Sequence, residues 1–144
     1  AYARRDADWR TLRPLRGVLH ATFTFTMGAM LFERLVVWGS GKAGKTGWKK
    51  AGLNPRDLAR ARYRCLEEIE SVRYSLKDLE YAGSHLKWLT GGGRQLVKQL
   101  RDALASMERG MQEYEQDVSR SSFGPALRRH RAELAEARET LSLM

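Results

Sequence analysis

Hydrophobic and polar positions divide the chain into an apolar stretch, a glycine and lysine stretch, and a long body with helical periodicity. From Gly17 to Phe32 sixteen residues carry no formal charge, and after Glu33 and Arg34 the apolar run resumes as Leu35, Val36, Val37 and Trp38. Apolar residues fall on every side of a helix drawn through this run, as in a helix buried all round or inserted in lipid. From Leu15 to Trp38 it is 24 residues, about 36 Å at ~1.5 Å per residue, against a hydrocarbon core of ~30 Å. The uncharged portion alone reaches only about 24 Å. Arg34 would have to snorkel, and Glu33 would need a partner or a wet edge. The pattern predicts an apolar, membrane-spanning helix over 17–38. Two other readings stand beside it: a helix buried against protein, and a strand, because His20 to Met27 alternates with period two.

A stripe of small residues, Gly17, Ala21, Thr24 and Gly28, spaced four, three and four, would let a neighbouring helix approach closely. Trp9 and Trp38 lie near the two ends of the run with basic residues beyond each, as interfacial anchors do. Residues 39–54 are rich in glycine and lysine and read as a loop. Asn54, Pro55 and Asp57 then supply a cap, a first-turn proline and an acid at the positive end of a helix.

From there Leu58, Arg62, Cys65, Ile69, Val72, Leu76, Leu79, Gly83 and Leu86 step by four and three, a heptad seam with two imperfect positions. Gly91, Gly92 and Gly93 are expected to break the helix. The seam restarts as Val97, Leu100, Leu104, Met107, Met111, Tyr114 and Val118, a face for the hairpin or for a partner helix. Ser121 to Pro125 makes a second break, and Pro125 opens a third helix with Leu127, Leu134, Ala137, Leu141 and Met144 on its apolar face. The expected fold is all-α: a basic arm over 1–16, the apolar helix, the loop, and over 55–144 an antiparallel helical hairpin or coiled coil with a third, C-terminal helix.

Charge sharpens this picture. The 144 residues hold 26 Lys and Arg against 17 Asp and Glu, a formal charge of +9. Up to Lys50 there are ten basic residues against three acidic, and beyond it sixteen against fourteen. The basicity therefore belongs to the N-terminal third and points to an anionic partner. Arg13, Arg16, Lys42, Lys45, Lys49 and Lys50 are the expected contacts to anionic phospholipid, with RNA as the other candidate. One cysteine, Cys65, excludes an internal disulfide framework and a cysteine-rich zinc module. Because the chain opens at Ala1, an initiator methionine or a longer targeting peptide is expected to have been removed.

Gly39 to Thr46 fits the phosphate-loop pattern of glycine, four residues, glycine, lysine and threonine. Its surroundings argue against a nucleotide: little room remains for the long helix such a loop opens, and everything after Pro55 carries helical periodicity instead of alternating strands and helices. His20, His85 and His130 stand far apart, with no ligand spacing between them. Glu67, Glu68 and Glu70 read as a solvated face balanced by Arg60, Arg62, Arg64 and Arg73. No nucleophile, base and orienting group fall together, so no catalytic residue, metal or cofactor is expected.

The organisation resembles, in general style, accessory subunits of mitochondrial energy-converting complexes, respiratory or ATP synthase, although no motif specific to one of them is present. The resemblance implies a non-catalytic structural subunit held in a large assembly at the mitochondrial inner membrane, in contact with other protein subunits. A basic RNA-binding protein of a mitochondrial or other ribosome is the alternative, and a small phosphate-loop nucleotide-binding protein the remote one.

Overall fold

The computed structural model describes residues 14–141. Its elements, in chain order, are α1 (Leu15–Ser40), α2 (Lys42–Lys50), α3 (Pro55–Ser84), α4 (Gly91–Met111), a 3-10 turn (Gln112–Tyr114), α5 (Glu115–Arg120) and α6 (Gly124–Leu141). The protein is all-helical, and no strand occurs among the described residues. Three threonines and two phenylalanines over 22–26 had suggested period two, yet the helix sorts them. Thr22 and Thr26 fall one turn apart on the buried side, while Thr24 and Phe23 face out. Burying the two hydroxyls is tolerable because each bonds back to its own helix. Thr22 Oγ1 donates to the Val18 carbonyl at 2.7 Å, and Thr26 Oγ1 to the Thr22 carbonyl at 2.7 Å.

Helix α3 is the hub, packed against α1, α4, α5 and α6. Pairing of residue numbers gives the directions. Cys65 meets the Ala29 carbonyl at 3.5 Å and Gly39 lies by Leu58, so α1 and α3 are antiparallel. Ion pairs Arg73–Glu108 and Arg101–Glu80 make α4 antiparallel to α3, the expected hairpin. Along α6 the numbers rise together with those of α3, in Glu70–Arg131 and Asp78–Arg138, so α6 runs parallel to it. The core between these helices holds Val18, Ala29 and Val36 of α1, Cys65, Ile69, Val72, Leu76 and Leu79 of α3, and the α4 seam.

Four expectations are corrected. First, among the described residues no helix is long and apolar enough to cross a membrane. Glu33 and Arg34 interrupt the run, sixteen uncharged residues fall short of the ~20 that span a bilayer, and one side of α1 is committed to α3. Second, the helix starts at Leu15 and ends at Ser40, wider than 17–38. Third, most of the predicted loop 39–54 is helical, because α2 folds back on α1 and drives Trp48 into the core at 7 % exposure. Fourth, the triple glycine does not break a helix but forms the first turn of α4. Thr90 caps it, accepting from the Gly93 N–H at 3.0 Å, and the break lies over 85–90. First-turn N–H groups need no partner within the helix, so glycine costs less there than at its centre.

The start of α3 follows its sequence signal. Asn54 Oδ1 accepts from the Asp57 N–H at 3.0 Å, and the Asp57 carboxylate accepts from the Asn54 N–H at 2.8 Å, a complete capping box. The second break also falls where expected, with α6 opening at Gly124 and Pro125. The seam before it is less regular than a heptad, since the 3-10 turn at 112–114 re-aims the chain between Met111 and Val118.

Candidate functional site

The packing of α1 on α3 leaves half of α1 facing outward. Phe23, Met27, Leu31 and Trp38 form one row along that face, 43, 43, 57 and 44 % exposed, with Val37 at its edge. Steps of four, four and seven keep a row on one side of a helix. Exposed Arg16, His20 and Arg34 lie on the same side. Large contiguous apolar patches are uncommon on the surfaces of monomeric proteins.

The small residues expected to receive a neighbouring helix border this row. Gly17, Ala21 and Gly28 are half-buried, Thr24 is exposed and back-bonded to the His20 carbonyl at 3.0 Å, and the space where Gly28 would carry a Cβ is open to 4 Å. Among the described residues, none lies within 4 Å of the place a Cβ on Gly28 would take. The residues expected to meet anions are dispersed. Arg13 lies outside the described residues, Arg16 opens α1, Lys42 and Lys45 belong to α2, and exposed Lys49 and Lys50 close it. Arg16 is at one end of the outward row and the lysine helix at the other.

The hairpin seam is consumed inside the protein. Val97, Leu100, Leu104, Met107, Met111 and Val118 are all buried against this chain's own helices, and Tyr114 is half-buried with the Arg62 guanidinium 4.7 Å from its ring centroid. It therefore serves the hairpin and the helices around it. Sequence periodicity identifies such a seam but not which chain fills it.

The phosphate-loop pattern becomes a corner between two helices. Gly39 ends α1's buried side and Gly44 sits in α2, where a Cβ would overlap the Trp38 carbonyl oxygen. A Cβ on Gly39 would come within 2.9 Å of the Trp48 ring and 3.0 Å of Leu58. Trp38 and Trp48 meet with ring centroids 5.7 Å apart. The glycines serve backbone approach, and the stretch has a helix where a phosphate loop has a strand.

Titratable groups gather at the helix junctions. Glu33 reaches the α4 side near Gly110, and its Oε2 is buried with no hydrogen-bond partner among the described residues. Burial raises its pKa, and the neighbouring Arg34 charge offsets this only in part. Cys65 is buried, and burial, with the charges of Glu33 and Glu68, pushes its thiol up to about 12. Burial alone would raise Glu70, but Arg73 and Arg131 hold its carboxyl below the usual value. The acid cluster is thus shared between helices. Arg64 pairs with Glu67 and Glu68, Arg73 with Glu70, and Arg131 joins Glu70 to Glu115. Arg62 instead donates to Ser40 Oγ at 3.2 Å.

The histidines are separate: His85 touches Ser84 Oγ at 2.8 Å, and His130 Nε2 lies 3.1 Å from Ser71 Oγ. Among the described residues no three His, Cys, Asp or Glu side chains gather as a metal site requires. No family model matches the chain, and no curated protein or solved structure does either.

Proposed function

We propose that the chain is a non-catalytic structural subunit of a membrane-associated assembly, seated by the outward face of α1 against an apolar partner surface beside anionic lipid. The observation that carries this reading is the row Phe23, Met27, Leu31 and Trp38, left exposed by the chain's own packing. Covering these half-exposed side chains contributes about 1 kcal/mol each, roughly half the value for full burial. The open space at Gly28 admits close backbone approach at the middle of the row. Basic side chains near an anionic surface add about 1 kcal/mol apiece, and Arg16, Lys49 and Lys50 are exposed at the ends of the row. The mitochondrial inner membrane belongs to the same proposal as the setting.

Fractionation tests it. The full chain, expressed with a tag, is expected to pellet with membranes, migrate with a large complex in mild detergent, and float with anionic vesicles more strongly than with neutral ones. Leu31→Glu removes all three behaviours in this reading. Complete release by salt, with sedimentation alongside RNA, overturns it in favour of the nucleic-acid alternative.

A further inference from the structure

A cavity of about 530 Å³ opens at the junction of α1, α2 and α3, beside the Trp38 end of the outward row. Its walls include Gly39, Trp48, Leu53, Pro55 and Leu58, and Lys49 stands at its edge. The volume is within the range of small-molecule sites. The chemistry of the walls narrows the occupant. The Trp48 indole N–H is already spent on the Asn54 carbonyl at 3.2 Å, so the ring offers only its apolar surface. Pro55 has no N–H, and the Asn54 and Asp57 side chains are engaged with each other's backbone in the capping box. A nucleotide or sugar would find few partners for its many polar atoms here. An alkyl chain needs none. Among the described residues Lys49 is the one charged side chain in the lining and no acidic residue lines the cavity, and its neighbour Lys50 is exposed beside it.

We propose that this cavity binds the aliphatic chain of a fatty acid, with the tail against Trp48, Leu53 and Leu58 and the carboxylate paired with Lys49. Apolar burial provides the binding and the rim cation selects the head group, a division of roles common to small-molecule sites. The cavity borders the α1 row only where Trp48 meets Trp38 and is lined by none of Phe23, Met27 and Leu31, so it does not rest on the function proposed above.

The probe is decanoate, with decanol as its uncharged counterpart, titrated into the full chain without lipid. Tryptophan fluorescence is read in a Trp9→Phe, Trp38→Phe, Trp88→Phe variant that keeps Trp48, and calorimetry reads the unsubstituted chain. Saturable one-site binding of decanoate is expected, tighter than that of decanol. Lys49→Glu, at an exposed position, weakens decanoate by roughly tenfold and leaves decanol unchanged. Leu53→Glu, on the rim, weakens both. Leu31→Glu abolishes vesicle flotation without altering decanoate binding. Absence of saturable binding overturns the proposal, as does binding insensitive to Lys49→Glu and Leu53→Glu, or loss of binding in Leu31→Glu, which would place the ligand on the outer face of α1.

Discussion

Glu33 carries a carboxylate oxygen into the α1, α3 and α4 junction, where no described residue bonds it. A carboxyl whose pKa is raised by folding holds its proton more tightly in the folded state. Its effect therefore favours folding in acid and turns against it as pH rises through the folded value. Glu33→Gln keeps the shape and removes the charge. It is expected to raise Tm at neutral pH and to leave Tm nearly unchanged below the ordinary value of 4.5, and thermal melts across that interval check both. Cys65 makes a second prediction at this scale. The thiolate is the reactive form, and a thiol pushed up to about 12 inside the core should resist iodoacetamide at neutral pH. Mass spectrometry is expected to show alkylation only after unfolding in urea.

At the scale of the element, α3 depends on the reciprocal cap at its first turn. Asn54→Ala should cost about 1 kcal/mol, measured as a shift in the urea midpoint with unchanged slope. That cap was legible in the sequence, as were the seam of α4 and the proline opening of α6, because each rests on local chemistry or on a period of 3.6. The path of residues 39–54 was not. Gly44 and Gly47 inside α2 carry poor helix propensity, and the gain that outweighs it, Trp48 inserted between α1 and α3, arises only when distant residues meet. The glycines at 91–93 misled for a related reason. Their position in a first turn, capped by Thr90, decided the outcome over their composition.

For the molecule as a whole, the sequence revealed the apolar run and hid how it is divided. Hydrophobicity on every side of α1 leaves open which half meets α3, and the residues Phe23, Met27, Leu31 and Trp38 acquire a role only after that choice is made. Leu31→Glu separates docking from folding. Because Leu31 is already exposed, its substitution should change stability by less than about 0.5 kcal/mol while it removes membrane association, the two read by urea denaturation and vesicle flotation on the same preparation. The corner where α2 turns back on α1 has a further consequence, in which substitutions the protein tolerates. In a nucleotide loop the lysine and hydroxyl are the intolerant positions, since they hold the ligand. Here the order reverses. Gly44→Ala forces a methyl group onto the Trp38 carbonyl and should cost about 1–3 kcal/mol, whereas Thr46→Ala, at an exposed site, should pass almost unnoticed. A saturation scan for folded protein would thus find Gly39 and Gly44 constrained and Gly41 and Thr46 free, so that tolerance alone distinguishes a packing corner from a phosphate cradle with the same letters.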